Sequence, residues 1–337
     1  MQEALAMLAC GRDIPATLAT DAMEGIASGK ATEAQIASFI TALRLKGESA
    51  EEIASCARVL QAHALPIRPN VCGMMVDTCG TGGDGTGTFN ISTAAAIVAA
   101  GAGVTVVKHG NRKVSSSCGS ADVLEALGVR IDLSPELTCS VIEEIGFGFL
   151  FAPLYHPVLG HAARVRRDLG FPTIFNLLGP LLNPAGAPAR LCGVNHPGLV
   201  QKFASALLSL GTKRAMVVHG NGLDEITISG PTRVAEIRDG SIRDYTLVPR
   251  DAGIRTSQLA SITGSTPMEN ARIIRKVLAG RDGPARDVVV LNAGAAIYLG
   301  GRAPGYREGV SQAQEAIDSG AANEKLEALV AATGGRS

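Results

Sequence analysis

The sequence predicts an α/β protein in which a small N-terminal all-helical domain precedes a larger α/β domain with a mainly parallel sheet. Residues 1–66 carry Ala, Leu, Ile and Glu at helical spacing. From residue 71 onward, β-branched runs alternate with helical segments, which is the order expected of a parallel sheet. Hydrophobic residues make up 46% of the 337 positions and charged residues 18%, enough for one large core or two unequal ones.

The helices of the N-terminal region begin at recognisable signals. Thr32 with Gln35, and Ser49 with Glu52, have the spacing of a capping box, in which two side chains and two backbone N–H groups satisfy one another. We predict about four helices, ending near Pro66. Their apolar stripes suit either a domain core or a dimer face, and the sequence leaves both open. The stripe residues are Ile36, Phe39, Ile40, Leu43, Ile53, Val59 and Leu60.

The larger domain is predicted from the alternation that follows. Residues 160–190 combine helical and loop signals with a Pro/Gly cluster, which is typical of a hinge or of a cover beside the sheet. We therefore divide the chain into a helical domain, residues 1–66, on which part of 160–190 packs, and an α/β domain, residues 71–337. Strands are predicted near residues 73–78, 104–108, 215–219 and 287–291, and helices near residues 90–100, 119–127 and 198–210.

Composition excludes several classes of function. Lys and Arg together number 31, as do Asp and Glu, so the formal net charge is zero and no nucleic-acid or anionic-membrane partner is expected. The seven cysteines include no Cys-x-x-Cys pair, which favours reduced thiols. The N-terminus has no basic leader, and the apolar stretch 91–107 is shorter than the roughly 20 residues that span a bilayer. We expect a cytoplasmic protein.

A glycine-rich loop is the most informative segment. Between a predicted strand and a predicted helix, residues 80–87 include five glycines, and the helix then begins near Asn90. Backbone N–H groups and a helix N-terminus converge there, which is typical of a phosphate site. The loop also satisfies the dinucleotide pattern G-x-G-x-x-G, but the next strand ends in Lys108-His109 rather than in an acidic residue, which disfavours a nicotinamide cofactor. A plain structural turn remains the other alternative.

A second loop of the same kind follows the next predicted strand. Residues 108–120 supply the cations of Lys108, Arg112 and Lys113, together with several serine hydroxyls. Two such loops at the carboxyl ends of adjacent strands suit a ligand with phosphates at both ends. The alternative is a solvated basic turn.

An acidic pair follows a later predicted strand and a glycine turn. Asp224 and Glu225 are hard oxygen ligands of the kind that Mg²⁺ takes, with phosphate oxygens and water completing its octahedron. Alone, such a pair could equally be a solvated or helix-capping one. Beside two anion loops it predicts a metal site.

Five stretches in order, GTGGDGTGTFNIST, KHGNRKVSSSCGSADVLEALG, FAPLYHP, RRDLGFPTIFNLLGPLLNPA and HGNGLDE, resemble the motif series of the anthranilate phosphoribosyltransferases. The resemblance extends from the N-terminal helices to beyond residue 230. It implies the fold shared with pyrimidine nucleoside phosphorylases, a helical domain plus an α/β domain, and a homodimer joined through the helical domain. At Ser117-Cys118 many relatives carry a basic residue followed by Ser, which bears on the strength of phosphate binding.

The resemblance implies transfer of the phosphoribosyl group from 5-phosphoribosyl 1-pyrophosphate to the amine of anthranilate, with two Mg²⁺ ions per active site. Ser92 would help to hold one ion and Asp224 with Glu225 the second. The residues implied to bind phosphoribosyl pyrophosphate are Gly80, Gly83, Asp84, Thr88, Asn90, Ile91, Ser92, Thr93, Lys108, His109, Gly110, Asn111, Arg112, Lys113, Val114, Ser115, Ser116 and Ser120.

The resemblance also implies an anthranilate site, in which Arg166 pairs with the carboxylate. The structural alternative for Arg166, which lies beside Arg164 and Arg167, is a plain helical salt bridge. An aromatic amine is neutral at pH 7, so no strong general base is required; His109 is either a proton acceptor or a structural histidine. A nucleoside phosphorylase-like enzyme and a non-catalytic nucleic-acid-binding relative are the rival functions. The residues implied to contact anthranilate are Gly80, Asn111, Pro153, His156 and Arg166.

Overall fold

The computed structural model describes residues 1–113 and 118–335. Its first region is a bundle of helices whose capping boxes at Thr32 and Ser49 are formed as the sequence predicts. Glu52 does more than cap its helix, because its buried carboxylate also accepts the backbone N–H of Ile14 at 3.0 Å. The four helices are α1 (Gln2–Ala9), α2 (Ala16–Ala27), α3 (Glu33–Lys46) and α4 (Ala50–Ala62).

One seven-stranded sheet forms the centre of the second region. Its strand order is β3-β2-β1-β4-β5-β6-β7, and the first five strands of that order are parallel, whereas β6 and β7 pair antiparallel at one edge. The predicted mainly parallel α/β architecture is therefore confirmed. The strands are β1 (Met75–Gly80), β2 (Thr105–Gly110), β3 (Phe147–Phe151), β4 (Ala189–Gly193), β5 (Arg214–Gly220), β6 (Thr232–Arg238) and β7 (Ser241–Leu247).

Helices cover both faces of this sheet. Within the described residues, no helix is long and apolar enough to cross a membrane. The remaining α-helices are α5 (Ile91–Gly101), α6 (Ser120–Ala126), α7 (Pro135–Ile145), α8 (Ala152–Tyr155), α9 (Gly160–Leu169), α10 (Ile174–Leu178), α11 (Leu199–Ser209), α12 (Pro267–Leu278), α13 (Pro284–Leu299), α14 (Tyr306–Asp318) and α15 (Ala321–Ala332).

The prediction of a strand at residues 287–291 is wrong. These residues lie inside α13, and residues 288–291 are all buried. A short β-branched run has the same sequence pattern in a buried helix as in a buried strand. Here packing against α14 and α5 stabilises the helix. Nor does the sequence predict β3, β4, β6 and β7. The short β3 and β4 are buried almost throughout, without the alternation that marks a half-exposed strand.

The segment 160–190 connects the two regions. Helix α9 contacts α2 and α3, and α10 contacts α3 and α4. The chain then passes through a short 3₁₀ helix at Gly179–Leu181 and lies across one face of the sheet, where Asn183 donates from Nδ2 to the carbonyl of Val107 at 2.7 Å. The segment covers the sheet on its way to β4.

The strand order places a crevice at the centre of the sheet. From β1 the chain proceeds to β2 and β3 on one side, and it later resumes on the other side of β1 with β4 and β5. Ligands of parallel α/β sheets bind beyond the carboxyl ends of the strands at such a reversal. Gly80 ends β1 and Gly193 ends β4, and the two are paired in register.

Candidate active site

The glycine loop lies in this crevice, between β1 and α5. Gly83 has φ +76°, in the left-handed region that favours glycine. At Gly80 the absence of a side chain matters for a different reason: a Cβ there would lie 2.7 Å from Oδ2 of Asp224. That oxygen accepts the backbone N–H of Gly82 at 2.8 Å. The loop and the acidic pair therefore fit together only because Gly80 is small.

The predicted phosphate contacts at the start of α5 divide into exposed and buried groups. Ile91 and Thr93 are buried, so their side chains face the core and only their backbone lies at the helix N-terminus. Ser92 keeps partial exposure, and its hydroxyl accepts a hydrogen bond from Lys108 at 3.3 Å. Thr88 is half-buried and Asn90 donates to the carbonyl of Cys118 at 3.1 Å, which ties the two predicted loops together.

Lys108 is buried beneath the loop rather than exposed in the crevice. Its ammonium donates to the carbonyl of Thr78 at 2.5 Å and to the hydroxyl of Ser92. Burial lowers the pKa of Lys108, and the nearby Asp77 opposes this lowering. The ammonium therefore orients Ser92 and contributes positive potential from below the site.

Residues 110–113 leave the sheet at the end of β2. Arg112 pairs with Glu125 at 2.9 Å and with Asp122 at 3.2 Å, so its guanidinium faces α6, and Lys113 is exposed. Ser120 begins α6 and donates to the carbonyl of Asn111 at 3.4 Å, close to Gly110. The predicted contacts Val114, Ser115 and Ser116, like Ser117, lie outside the described residues.

The acidic pair follows β5 through a tight turn and enters the crevice beside the glycine loop. The backbone N–H of Asp224 lies 3.4 Å from Oδ2 of Asp84, which brings a third carboxylate to the predicted metal site. Burial and then the neighbouring Asp84 raise the pKa of Asp224 to about 7. The pKa of Glu225 is raised by burial and by Asp224, and it is lowered in turn by Lys108 and by hydrogen bonding to the backbone of Ser92.

This donor set fits Mg²⁺. Crowded carboxylates with raised pKa values are stabilised when a divalent cation neutralises them, and carboxylate and hydroxyl oxygens are the ligands that Mg²⁺ takes. Among the described residues, no group of three or more His, Cys, Asp or Glu side chains is arranged so that it could hold a metal ion by itself. Asp224, Glu225 and Ser92 would thus supply part of the coordination and leave the rest to phosphate oxygens and water.

His109 and His156 meet edge to face beside the crevice, with ring centroids 5.1 Å apart. Both are buried, and this burial lowers the pKa of His109 to about 3 and that of His156 to about 4. Both rings are neutral at pH 7. A neutral ring of such low basicity favours the structural alternative for His109 over the proton acceptor.

Arg166 lies on α9 with its guanidinium 5.0 Å from the ring centroid of Phe175. In the described parts of the chain, no carboxylate forms an ion pair with Arg166, whereas its neighbour Arg164 pairs with Glu33 at 3.5 Å and with Asp168 at 3.7 Å. Among the described residues, the helical salt bridge considered for Arg166 is thus not formed, and Arg164 forms one with Asp168 instead. Pro153 is exposed at the start of α8.

Sequence reasoning missed three residues that shape this site. Asn195 donates to the carbonyl of Gly82 at 2.8 Å, and Asn270 donates to Oδ1 of Asn90 at 3.0 Å, so both hold the glycine loop from distant elements. Phe175 supports Arg166. Phe175 lies within the stretch 166–185 but had no role assigned, and Asn195 and Asn270 lie outside all five stretches. Only Asp84 could have been added to the metal set earlier, because it stands within the glycine loop.

The chain matches two family descriptions: the helical bundle domain of the glycosyl transferase family over residues 2–64, and its a/b domain over residues 73–323. Anthranilate phosphoribosyltransferase of Methanocorpusculum labreanum is 54% identical over 334 residues, covering 99% of this chain and 98% of that protein. The crystal structure of the enzyme of that name from Thermus thermophilus is 44% identical with a TM-score of 0.92, covering 98% of this chain and 99% of that chain.

The Saccharomyces cerevisiae anthranilate phosphoribosyltransferase, solved in complex with PRPP and Mg, is 30% identical with a TM-score of 0.87; 99% of this chain and 97% of that chain are covered. A Gly141Asn variant of the yeast enzyme was solved with 4-fluoroanthranilate. Similarity thus runs over nearly the whole chain and includes both domains. The chain belongs to the glycosyl transferase family and, within it, to the anthranilate phosphoribosyltransferases.

Proposed function

We propose that this chain transfers the phosphoribosyl group of 5-phosphoribosyl 1-pyrophosphate to the amine of anthranilate, giving N-(5-phosphoribosyl)anthranilate and pyrophosphate. The observation that carries the proposal is the meeting of the glycine loop with the acidic pair at the reversal of strand order, where Asp224 accepts the N–H of Gly82. Full-length identity of 54% to a named transferase supports it.

The donor occupies the crevice between the two loops in this proposal. The loop N–H groups and the N-terminus of α5 are oriented toward the pyrophosphate, and Lys108 adds positive potential from beneath. Ser92 and the pair Asp224 with Glu225 would hold two Mg²⁺ ions. When bound, Mg²⁺ neutralises the charge that develops on the departing pyrophosphate. The backbone of the glycine loop holds that group in line with the acceptor.

Anthranilate binds on the opposite side of the ribose in this proposal. Arg166 has no acidic partner among the described residues and its guanidinium lies 5.0 Å from the ring centroid of Phe175, so it is free to form a bidentate pair with the substrate carboxylate. Asn111, Pro153, His156 and Gly80 complete the predicted acceptor contacts. The amine nitrogen bonds to the anomeric carbon on the face opposite pyrophosphate while the bond from that carbon to pyrophosphate breaks, which inverts the centre, and the proton then lost from nitrogen passes to solvent. The neutral His109 and His156 border this site without adding charge.

The assembly and the domain division are part of the same proposal. We assign residues 1–66 to the helical domain and residues 71–337 to the catalytic domain. We include in the proposal a homodimer joined through the helical domain, the assembly that the sequence resemblance implies. A cytoplasmic location suits a donor that is too strongly charged to cross a membrane.

The fluorescence of anthranilate tests the proposed reaction directly. Purified protein, Mg²⁺ and phosphoribosyl pyrophosphate are incubated with anthranilate, each component is omitted in turn, and pyrophosphate release is measured in parallel. We expect equal loss of anthranilate and gain of pyrophosphate only in the complete mixture. Phosphate-dependent release of base from a nucleoside would instead indicate the phosphorylase alternative, and salt-sensitive binding to DNA the nucleic-acid-binding one. The relatives support neither alternative.

A further inference from the structure

Two ionisable residues are buried at the centre of the sheet, and neither has a role in any of the predicted motifs. Asp77 on β1 and Arg190 on β4 are partners in register and are 0% and 4% exposed. Oδ2 of Asp77 and Nε of Arg190 each lack a hydrogen-bond partner among the described residues. Burying two ionisable side chains that leave polar atoms without a partner costs more than burying apolar residues of similar size, so fold stability alone does not account for the two residues.

Asp77 holds the segment on one side of the acceptor site. Its Oδ1 accepts the backbone N–H of His109 at 3.2 Å, across from β1 to β2. His109 is the residue whose ring meets His156, and Asn111 follows it by two positions. The carboxylate of Asp77 therefore fixes the backbone from which this side of the acceptor site is built.

Arg190 holds the segment on the other side. Its Nη1 donates to the carbonyl of Pro180 at 2.7 Å, and this carbonyl follows directly on α10, the helix that carries Phe175. The Phe175 ring in turn supports Arg166. Since side chains of a strand alternate between its two faces, the direct pairing of Asp77 with Arg190 places both hydrogen bonds on the same face of the sheet.

We infer that Asp77 and Arg190 are positioning residues for the anthranilate site, which hold His109 and Pro180 at a fixed separation so that the acceptor pocket is preformed. The inference rests on the proposed function. Neither residue touches the acceptor in this arrangement. Each acts through a backbone group. Because the two residues are on adjacent strands, they couple the position of the His109 segment to that of the Pro180 segment.

The test is Arg190→Gln in the full-length chain, assayed by steady-state kinetics with each substrate varied. The guanidinium borders a cavity of about 310 Å³ near the amino ends of β4 and β5, so a shorter polar side chain leaves room for water and the variant is expected to fold. We expect KM for anthranilate to rise roughly tenfold while KM for phosphoribosyl pyrophosphate changes less than about twofold. Arg190→Lys, which keeps the charge, restores part of the loss.

Arg214→Gln is the matched control, because Arg214 begins the neighbouring strand β5 and stacks on Tyr298 away from the crevice. Equal rises in both KM values, or an unchanged KM for anthranilate in Arg190→Gln, would overturn the inference while leaving the proposed function intact. Should Arg190→Gln fail to fold, Arg190→Lys carries the test: a selective rise in KM for anthranilate upholds the inference, and wild-type kinetics reject it. A wild-type protein without transferase activity rejects the proposed function and the inference with it.

Discussion

The carboxylate of Asp224 accepts the backbone N–H of Gly82 at 2.8 Å, joining two motifs that are 142 residues apart in sequence. Asp224 also lies close to Asp84, so three acidic side chains, including Glu225, gather beside the glycine loop. Repulsion between these carboxylates destabilises the folded state at the place where a cation would be held. The predictions below follow from this arrangement and from the acceptor side of the crevice.

Replacement of the acidic pair should lower activity and raise thermal stability. Asp224→Asn combined with Glu225→Gln should lower kcat/KM on the order of a hundredfold and change the Mg²⁺ dependence of turnover. The same variant should unfold at a higher temperature without Mg²⁺, because removal of crowded buried carboxylates relieves repulsion. Kinetics over a Mg²⁺ series and thermal unfolding measure both effects. Asp239→Asn, at an exposed turn, is the control. Full activity in the double variant would remove the metal assignment.

The small size of Gly80 is expected to be essential. A Cβ at this position would lie 2.7 Å from Oδ2 of Asp224, closer than real side chains approach, so Gly80→Ala should displace Asp224 and lower activity at least about tenfold. Gly160→Ala, in α9 with open space around the added methyl group, should leave activity unchanged and the fold as stable or slightly more so. Equal activity of the two variants would show that the loop adjusts freely.

Arg166 is expected to contribute to the binding of anthranilate and not to that of phosphoribosyl pyrophosphate. Arg166→Ala should raise KM for anthranilate by roughly fiftyfold, since a charge-assisted bidentate pair is lost, and should leave KM for phosphoribosyl pyrophosphate nearly unchanged. Arg164→Ala, which removes only exposed ion pairs on the same helix, serves as the control. A parallel rise in both KM values would assign Arg166 a structural role.

The buried histidines should make the fold sensitive to acid. The folded-state pKa of His156 is about 4, below the ordinary value of 6.5. Between these values the unfolded chain binds a proton that the folded chain does not, so stability falls as pH decreases from about 6.5 toward 4. The effect of this one residue reaches about 3 kcal/mol at the acid end.

Thermal or denaturant unfolding at several pH values measures this dependence. In His156→Gln the loss of stability between pH 6.5 and 4 should be smaller than in the wild type. Between pH 6.5 and 8 the pH dependence of the kinetic constants should have the same shape in His156→Gln as in the wild type, because both rings are already neutral there and only Asp224 has a pKa near 7 among these three groups. An unchanged acid dependence in the variant would mean that His156 takes up its proton in the folded protein.

Local signals in the sequence were sufficient for the parts of this protein that are fixed by neighbours along the chain. The capping boxes at Thr32 and Ser49 form, and the glycine loop lies between β1 and α5 as expected. These features depend on hydrogen bonds over three residues or on the backbone freedom of glycine. The motifs also indicated the family correctly.

The tertiary structure decided what depends on distant contacts. Residues 287–291 form a helix because neighbouring helices surround them, and the short buried β4 has no pattern that marks it. Only the strand order brings Arg190 beside Asp77 and Asp224 beside Gly82. Burial, which no single motif encodes, keeps the rings of His109 and His156 neutral. It also directs the ammonium of Lys108 to the hydroxyl of Ser92 instead of the solvent, because a charge in the interior is stable only next to a compensating group.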